Sequence, residues 1–136
     1  MEAKELRIGN YVNYNGYVAE IVEIKRTVCM IRFKENDLDC CPKVEYDDLK
    51  PIELTEEWLL KIEFKKLLPN LGELTQQEIY LGNLRTVLTF YKKPFTFNVS
   101  NGWWMYERKM DNPPKYVHKL QNIYFALTGE ELTIKQ

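Results

Sequence analysis

Three dipeptides, Asn15-Gly16, Gly82-Asn83 and Asn101-Gly102, constrain this chain more than any other feature. Each is a two-residue turn signal, because Asn and Gly accept the positive φ angles that a tight β-hairpin demands. Each lies between runs enriched in β-branched and aromatic residues. The first joins 10–14 to 17–24, the second 78–81 to 84–91, and the third 95–100 to 103–108. A further strand is expected over 28–33, with Val28, Met30 and Arg32 on one face and Cys29, Ile31 and Phe33 on the other. Residues 34–39 are polar and read as a loop. Around Asp47-Asp48-Leu49, the stretch 44–52 fits two closing strands separated by a helical turn.

In length and spacing these first strands resemble a small SH3-like barrel over residues 1–53. A helix then starts at Leu54, where Thr55 can cap and Glu56 and Glu57 complement the positive end of the helix dipole. Trp58, Leu59 and Ile62, with Lys66 continuing the spacing, form one stripe, and the helix ends before Pro69. The strands after residue 78 alternate, with Leu84, Thr86, Leu88 and Phe90, then Phe95, Phe97 and Val99, on one side. That is the pattern of a β-meander with one buried face. Asp111-Asn112-Pro113-Pro114 opens a second helix over 115–127, and Gly129 is placed to end it. Val117, Leu120, Ile123, Tyr124 and Leu127 make its apolar face, and a short last strand is expected over 131–134. The expected fold is α+β: an N-terminal SH3-like barrel (1–53), a connecting helix, and a C-terminal antiparallel meander with one packed helix (54–136). No Gly/Ser linker separates the halves, so they are expected to pack as one unit.

At 136 residues the chain can bury a real core without staples. Its net charge of −1 gives the whole molecule no pull toward nucleic acid or membrane. No uncharged stretch is long enough for a spanning helix, and the charged start, 1–8, is unlike a signal peptide. Three cysteines, two of them adjacent (Cys40-Cys41), make a poor disulfide framework. The expectation is a cytoplasmic protein.

Three segments resemble a group of small uncharacterised proteins of gut bacteria and their prophages or mobile elements. They are Glu5-Leu6-Arg7-Ile8-Gly9-Asn10-Tyr11-Val12, then Pro51-Ile52-Glu53-Leu54-Thr55-Glu56-Glu57-Trp58-Leu59, and the long run from Tyr116 through His118, Gln121 and Asn122 to Leu132. The resemblance spans the chain from beginning to end, implies a mobile-element setting, and transfers no activity and no catalytic residues.

Catalytic chemistry has little to build on. One serine, Ser100, and one histidine, His118, suggest no nucleophile–base pair. No glycine-rich phosphate loop precedes a helix. Zinc would need more Cys and His at workable spacing, and Glu35, Asp37, Asp39 and Cys40-Cys41 read as a solvated acidic loop. His118, on the flank of the apolar stripe, reads as a packed or half-exposed structural histidine, and Gln121 and Asn122 as side chains bonded to nearby backbone. Neither a catalytic residue, a metal nor a cofactor is expected.

Charge, however, is uneven. Residues 79–129 hold seven basic residues against two acids, a net of +5, while the remainder holds twelve against eighteen, a net of −6. The same segment contains 11 of the 18 aromatics, so cations and rings are interleaved. Trp103, Trp104, Tyr106, Lys92, Lys93 and Arg108 are therefore the candidate binding surface. In a regular strand Trp103 and Trp104 project to opposite faces, so only one can serve that sheet's core. The leading expectation is a non-catalytic protein–protein module, binding a protein partner or a second copy. The alternative is single-stranded nucleic acid, whose phosphates meet cations and whose bases stack on rings. An enzyme is the remote third.

Overall fold

The computed structural model describes residues 1–62, 65–66, 75–81, 84–91, 96–101, 106–109, 114–132 and 134; for the strands between 65 and 109 it describes the backbone. The chain forms two compact units. One is Met1–Glu53 with Tyr116–Ile123, and the other is Leu54–Lys115 with Tyr124–Gln136. The fold class is α+β, with a six-stranded antiparallel sheet and a C-terminal helix.

The first unit holds β1 (Tyr11–Tyr14), β2 (Tyr17–Ile24), β3 (Val28–Glu35), β4 (Leu38–Cys40), β5 (Lys43–Glu45) and β6 (Leu49–Lys50). Asn15 and Gly16 both sit at positive φ, 50° and 88°, and Tyr14 pairs with Tyr17, so the expected two-residue turn forms. Residues 34–39 are not a loop. Asn36 and Asp37 sit at φ 50° and 63°, and Glu35 pairs with Leu38, closing another tight hairpin. Asn and Asp tolerate the left-handed region well enough to replace the usual glycine. Tyr46–Asp48 is a single 3₁₀ turn, and β6 then leaves to pair with β1.

The strand path runs β4-β3-β2-β1-β6, with β5 also on β3. It does not close on itself, so the SH3-like barrel expected from the sequence is an open sheet among the described residues. Its buried side carries Leu6, Val12, Ala19, Ile21, Cys29, Ile31, Phe33, Val44, Tyr46 and Leu49. Cys29, Ile31 and Phe33 alternate with exposed or half-exposed neighbours, as period-two patterning requires. Phe33 stacks on Tyr17, and the Tyr46 hydroxyl donates to the Lys25 carbonyl, which gives that buried phenol its partner.

β4 and β5 are one strand in all but hydrogen bonding. Phe33 pairs with Cys40, and three residues back along β3 Met30 pairs with Lys43. Ile31 and Arg32 thus face Pro42 and Cys41 in unbroken register. Ile31 N–H donates to the Pro42 carbonyl at 3.1 Å, and proline has no N–H to return the bond. The interruption is chemical rather than topological. Proline within a sheet belongs on an edge strand, and this strand is an edge.

The second unit opens with α1 (Glu56–Lys61), whose Thr55 N-cap accepts from the Trp58 amide. Leu59 and Ile62 are fully buried, while Trp58 is half-buried with the Lys61 ammonium 5.0 Å from its ring centre. Lys66 does not continue the stripe: it lies in β7 (Lys65–Lys66). Then come β8 (Thr75–Leu81), β9 (Leu84–Tyr91), β10 (Thr96–Asn101) and β11 (Tyr106–Lys109), a five-stranded meander in the order β11-β10-β9-β8-β7. Leu81 pairs with Leu84 across the two-residue connection expected there. The third turn differs, because Asn101 is itself a strand residue paired with Tyr106, leaving 102–105 as the connection. Moving a register by an even number keeps every residue on its face, so alternation alone does not choose between the two.

Helix α2 (Val117–Thr128) spans both units and ends as expected at Gly129, φ 74°, whose amide donates to Phe125. No strand forms at Glu131, Leu132 or Ile134.

Candidate interaction site

Within the first unit, α2 is attached to the N-terminal segment through amides. Gln121 is almost fully buried; its Oε1 accepts from the Tyr11 amide at 2.8 Å and its Nε2 donates to the Gly9 carbonyl at 2.9 Å. Those groups flank Asn10 on the outer edge of β1. The Gln121 carboxamide therefore fills the place of a neighbouring strand's peptide. One step along the same edge, Asn13 is met by Lys50 of β6, so side chain and strand share the cover of β1.

Asn122 completes the attachment. Its Nδ2 donates to the Glu5 carbonyl at 3.0 Å, and its Oδ1 accepts from Asn10 Nδ2 at 2.9 Å and Arg7 Nη1 at 3.3 Å. Buried Asn10 also accepts the Arg7 amide at 2.8 Å, closing the turn that Gly9 makes at φ 95°. Lys119 reaches the Glu5 carboxylate at 3.1 Å. Burial pushes the Glu5 carboxyl up, but the hydrogen bond and charge of Lys119 outweigh it and leave the group below its usual value. Gln121 and Asn122 do bond backbone, but not the nearby backbone the sequence suggested: their partners are Tyr11, Gly9 and Glu5, 110 to 117 residues away. Ile52 accepts the Val117 amide and Glu53 bridges to Tyr116, so parts of all three resemblance segments meet here as structure.

His118 lies one turn before Asn122 and is 1 % exposed, with its ring stacked on Tyr116 at 5.9 Å. Neither ring nitrogen has a hydrogen-bond partner among the described residues. Burial, aided by Lys119 and opposed by Glu5, pulls its pKa down to about 4, so the ring is neutral near pH 7. The sequence suggested a structural histidine, packed or half-exposed, and the structure gives the packed case; its missing partners were not foreseen.

The opposite edge of the sheet meets no further strand among the described residues. The Ile31-to-Pro42 bond fixes which residues of the edge strand turn their peptides toward β3: 38, 40, 42 and 44. Asp39, Cys41 and Lys43 turn theirs outward, and among the described residues no strand pairs with them. All three side chains are exposed on the sheet's outer face, beside the Glu20–Arg32 ion pair at 2.7 Å. The hydrogen bond and charge of Glu20, with a smaller contribution from Asp39, hold the Arg32 guanidinium above its ordinary value. Leu38, at the head of this strand, is 70 % exposed, the most exposed of the large apolar residues described.

Of the six residues singled out from the sequence, Lys92, Lys93, Trp103 and Trp104 lie outside the described residues. Tyr106 and Arg108 take alternate positions on β11, at the register of Asn101 and Val99, on the terminal strand of the meander. The edge at Leu38–Lys43 was missed by the sequence reading. Its signal was Pro42 inside an otherwise strand-like run, which marks an edge. No protein-family model, no curated protein and no solved structure matches this chain.

Proposed function

We propose that this protein is a non-catalytic, cytoplasmic protein-binding module, organised as an opened SH3-like barrel and used in a prophage or mobile-element setting. One observation carries the reading: an apolar residue as exposed as Leu38 heads a strand whose outer peptide edge is unpaired among the described residues. Strand edges of this kind are where extended partner segments add, with main-chain hydrogen bonds giving affinity and alternate side chains giving selectivity. The three cysteines are free thiols, which suits a reducing compartment. The test is affinity capture with wild type and Leu38→Asp, alongside mass measurement of each. Partner capture or self-association that Leu38→Asp loses, with unchanged circular dichroism, is expected; a chain that stays monomeric and captures nothing sinks the reading.

A second reading keeps single-stranded nucleic acid, supported by Tyr106 and Arg108 at alternate positions of the terminal strand β11. It predicts retention of a polythymidine strand that weakens steeply with salt, as phosphate counterions are released on binding. Absence of retention at low salt removes it.

A further inference from the structure

We infer that the bare edge Leu38–Lys43 is a self-pairing surface, on which a second copy of this chain adds antiparallel about a two-fold axis at Cys41. This rests on the binding-module reading and names its partner.

The first support is the direction of the peptides. Asp39, Cys41 and Lys43 carry outward N–H and C=O groups, whereas the bond missing at Pro42 falls on the inner side, toward β3. The proline thus leaves the outer ladder intact. Two antiparallel copies can exchange both hydrogen bonds at each outward position.

The second support is register. A two-fold axis through Cys41 sets Asp39 of each copy opposite Lys43 of the other, so two opposite-charge pairs flank the centre. Moving the axis to Pro42 would set Asp39 against Glu45, and moving it to Lys43 would set Lys43 against itself. Moving it to Cys40 would set Asp39 against Cys41 and carry Lys43 against Asp37, which lies in the turn at φ 63° rather than on the strand. Like charges directly opposite are destabilising and opposite charges stabilising, so the Cys41 register is the one the side chains favour. On the other face that register sets Leu38 opposite Val44 of the second copy, and Cys40 opposite Pro42. Apolar meets apolar, and the exposed Leu38 gains cover. The sequence of this edge is complementary to its own reverse.

The axis supplies its own reporter. Residues in a hydrogen-bonded antiparallel pair have Cα atoms about 5.5 Å apart, inside the range a disulfide spans. Cys41 is exposed and faces its twin, while Cys40 is half-buried and its thiol donates to the Leu38 carbonyl.

The experiment uses the purified full chain alone. Its mass is followed by sedimentation across a concentration series, and diamide is added as the two-electron oxidant. Diamide takes up the two thiol protons and electrons as the Cys41–Cys41 disulfide forms. Expected is a species of twice 16.3 kDa, covalent after diamide, retained in Cys40→Ser and lost in Cys41→Ser. Asp39→Lys should weaken association roughly tenfold, since it creates two Lys–Lys oppositions. The exchange Asp39→Lys with Lys43→Asp should restore it, which a merely folding-related effect of either residue would not do. A mass of 16.3 kDa throughout, or crosslinking indifferent to the charge exchange, overturns the self-pairing. If the purified chain is monomeric yet still captures a protein through Leu38, the second copy is the wrong partner and the binding module stands. If it is monomeric and captures nothing, both fall.

Discussion

The two edges of the first sheet make an instructive pair. On the β1 side, outward groups are met: Asn13 pairs with Lys50 of β6, and the Tyr11 amide and the Gly9 carbonyl bond the carboxamide of Gln121. On the far side, Asp39, Cys41 and Lys43 meet nothing among the described residues. One edge is finished with a buried side chain from a helix far along the chain, while the other is left with alternating charge. A covered edge ties stability to distant sequence; a bare, charged edge adds little stability and keeps its hydrogen bonds available. Substitutions at the two edges should therefore separate cleanly, with stability lost at one and assembly lost at the other.

The largest effect is expected at Gln121. Replacing it with Leu keeps the volume and removes both bonds, stranding the Tyr11 amide and the Gly9 carbonyl beside a buried residue. Each orphaned backbone group costs about 1–3 kcal/mol, so a loss of about 2–4 kcal/mol is expected in urea unfolding. A loss under about 0.5 kcal/mol would mean that β1 does not depend on the helix for its edge.

Acid should attack the covered edge next, through His118. Its folded pKa lies near 4, below the ordinary 6.5, so between those values the unfolded chain binds more protons. Stability is then full above about pH 6.5 and falls as pH drops toward 4, by on the order of 2 kcal/mol. Glu5 acts in the same direction at lower pH: its depressed carboxyl favours folding above its unfolded value and loses that contribution as it protonates. Urea midpoints measured from pH 7.5 to 4 for wild type and His118→Gln check this. The variant should flatten the upper part of the slope, and an unchanged slope would show that His118 is not the group titrating.

Much of the fold was legible because it is written in local chemistry. Asn15-Gly16, Thr55 and Gly129 each perform the turn, cap or stop that their residue types imply. The Asn36-Asp37 hairpin was passed over because neither residue is Gly, although both tolerate positive φ. The connection after Asn101 was misplaced because registers shifted by an even number bury the same residues. The role of Gln121 could not be read from spacing. Its partners lie 110 and 112 residues away, and a glutamine standing in for a strand has no periodicity to betray it. The candidate site follows the same division. Composition pointed to the cations and aromatics of the meander, whereas the bare edge depends on which peptides face outward, and the Ile31-to-Pro42 bond decides that.

Lys119→Ala sharpens the comparison from the covered side. Its bridge to Glu5 is partly exposed, so its removal should cost no more than about 1 kcal/mol, well below Gln121→Leu, although both side chains join the same helix to the same segment. An equal or larger loss would shift the weight of that attachment from amides to charge.

The smallest stability effect should come from the bare edge. Asp39→Ala and Lys43→Ala remove exposed side chains that bond nothing among the described residues, and such changes usually lie within about 0.5 kcal/mol. Urea unfolding at a protein concentration low enough to keep the chain monomeric should therefore match wild type. Raised concentration should separate them: wild type gains stability because assembly binds the folded state alone, and the two variants gain less. Gln121→Leu should behave in reverse, being weaker at every concentration while keeping the same gain, because its lesion is on the far side of the sheet. Variants at Asp39 or Lys43 that unfold early even as monomers would show that the bare edge is part of the fold's own support, and the contrast between the two edges would then be one of chemistry alone.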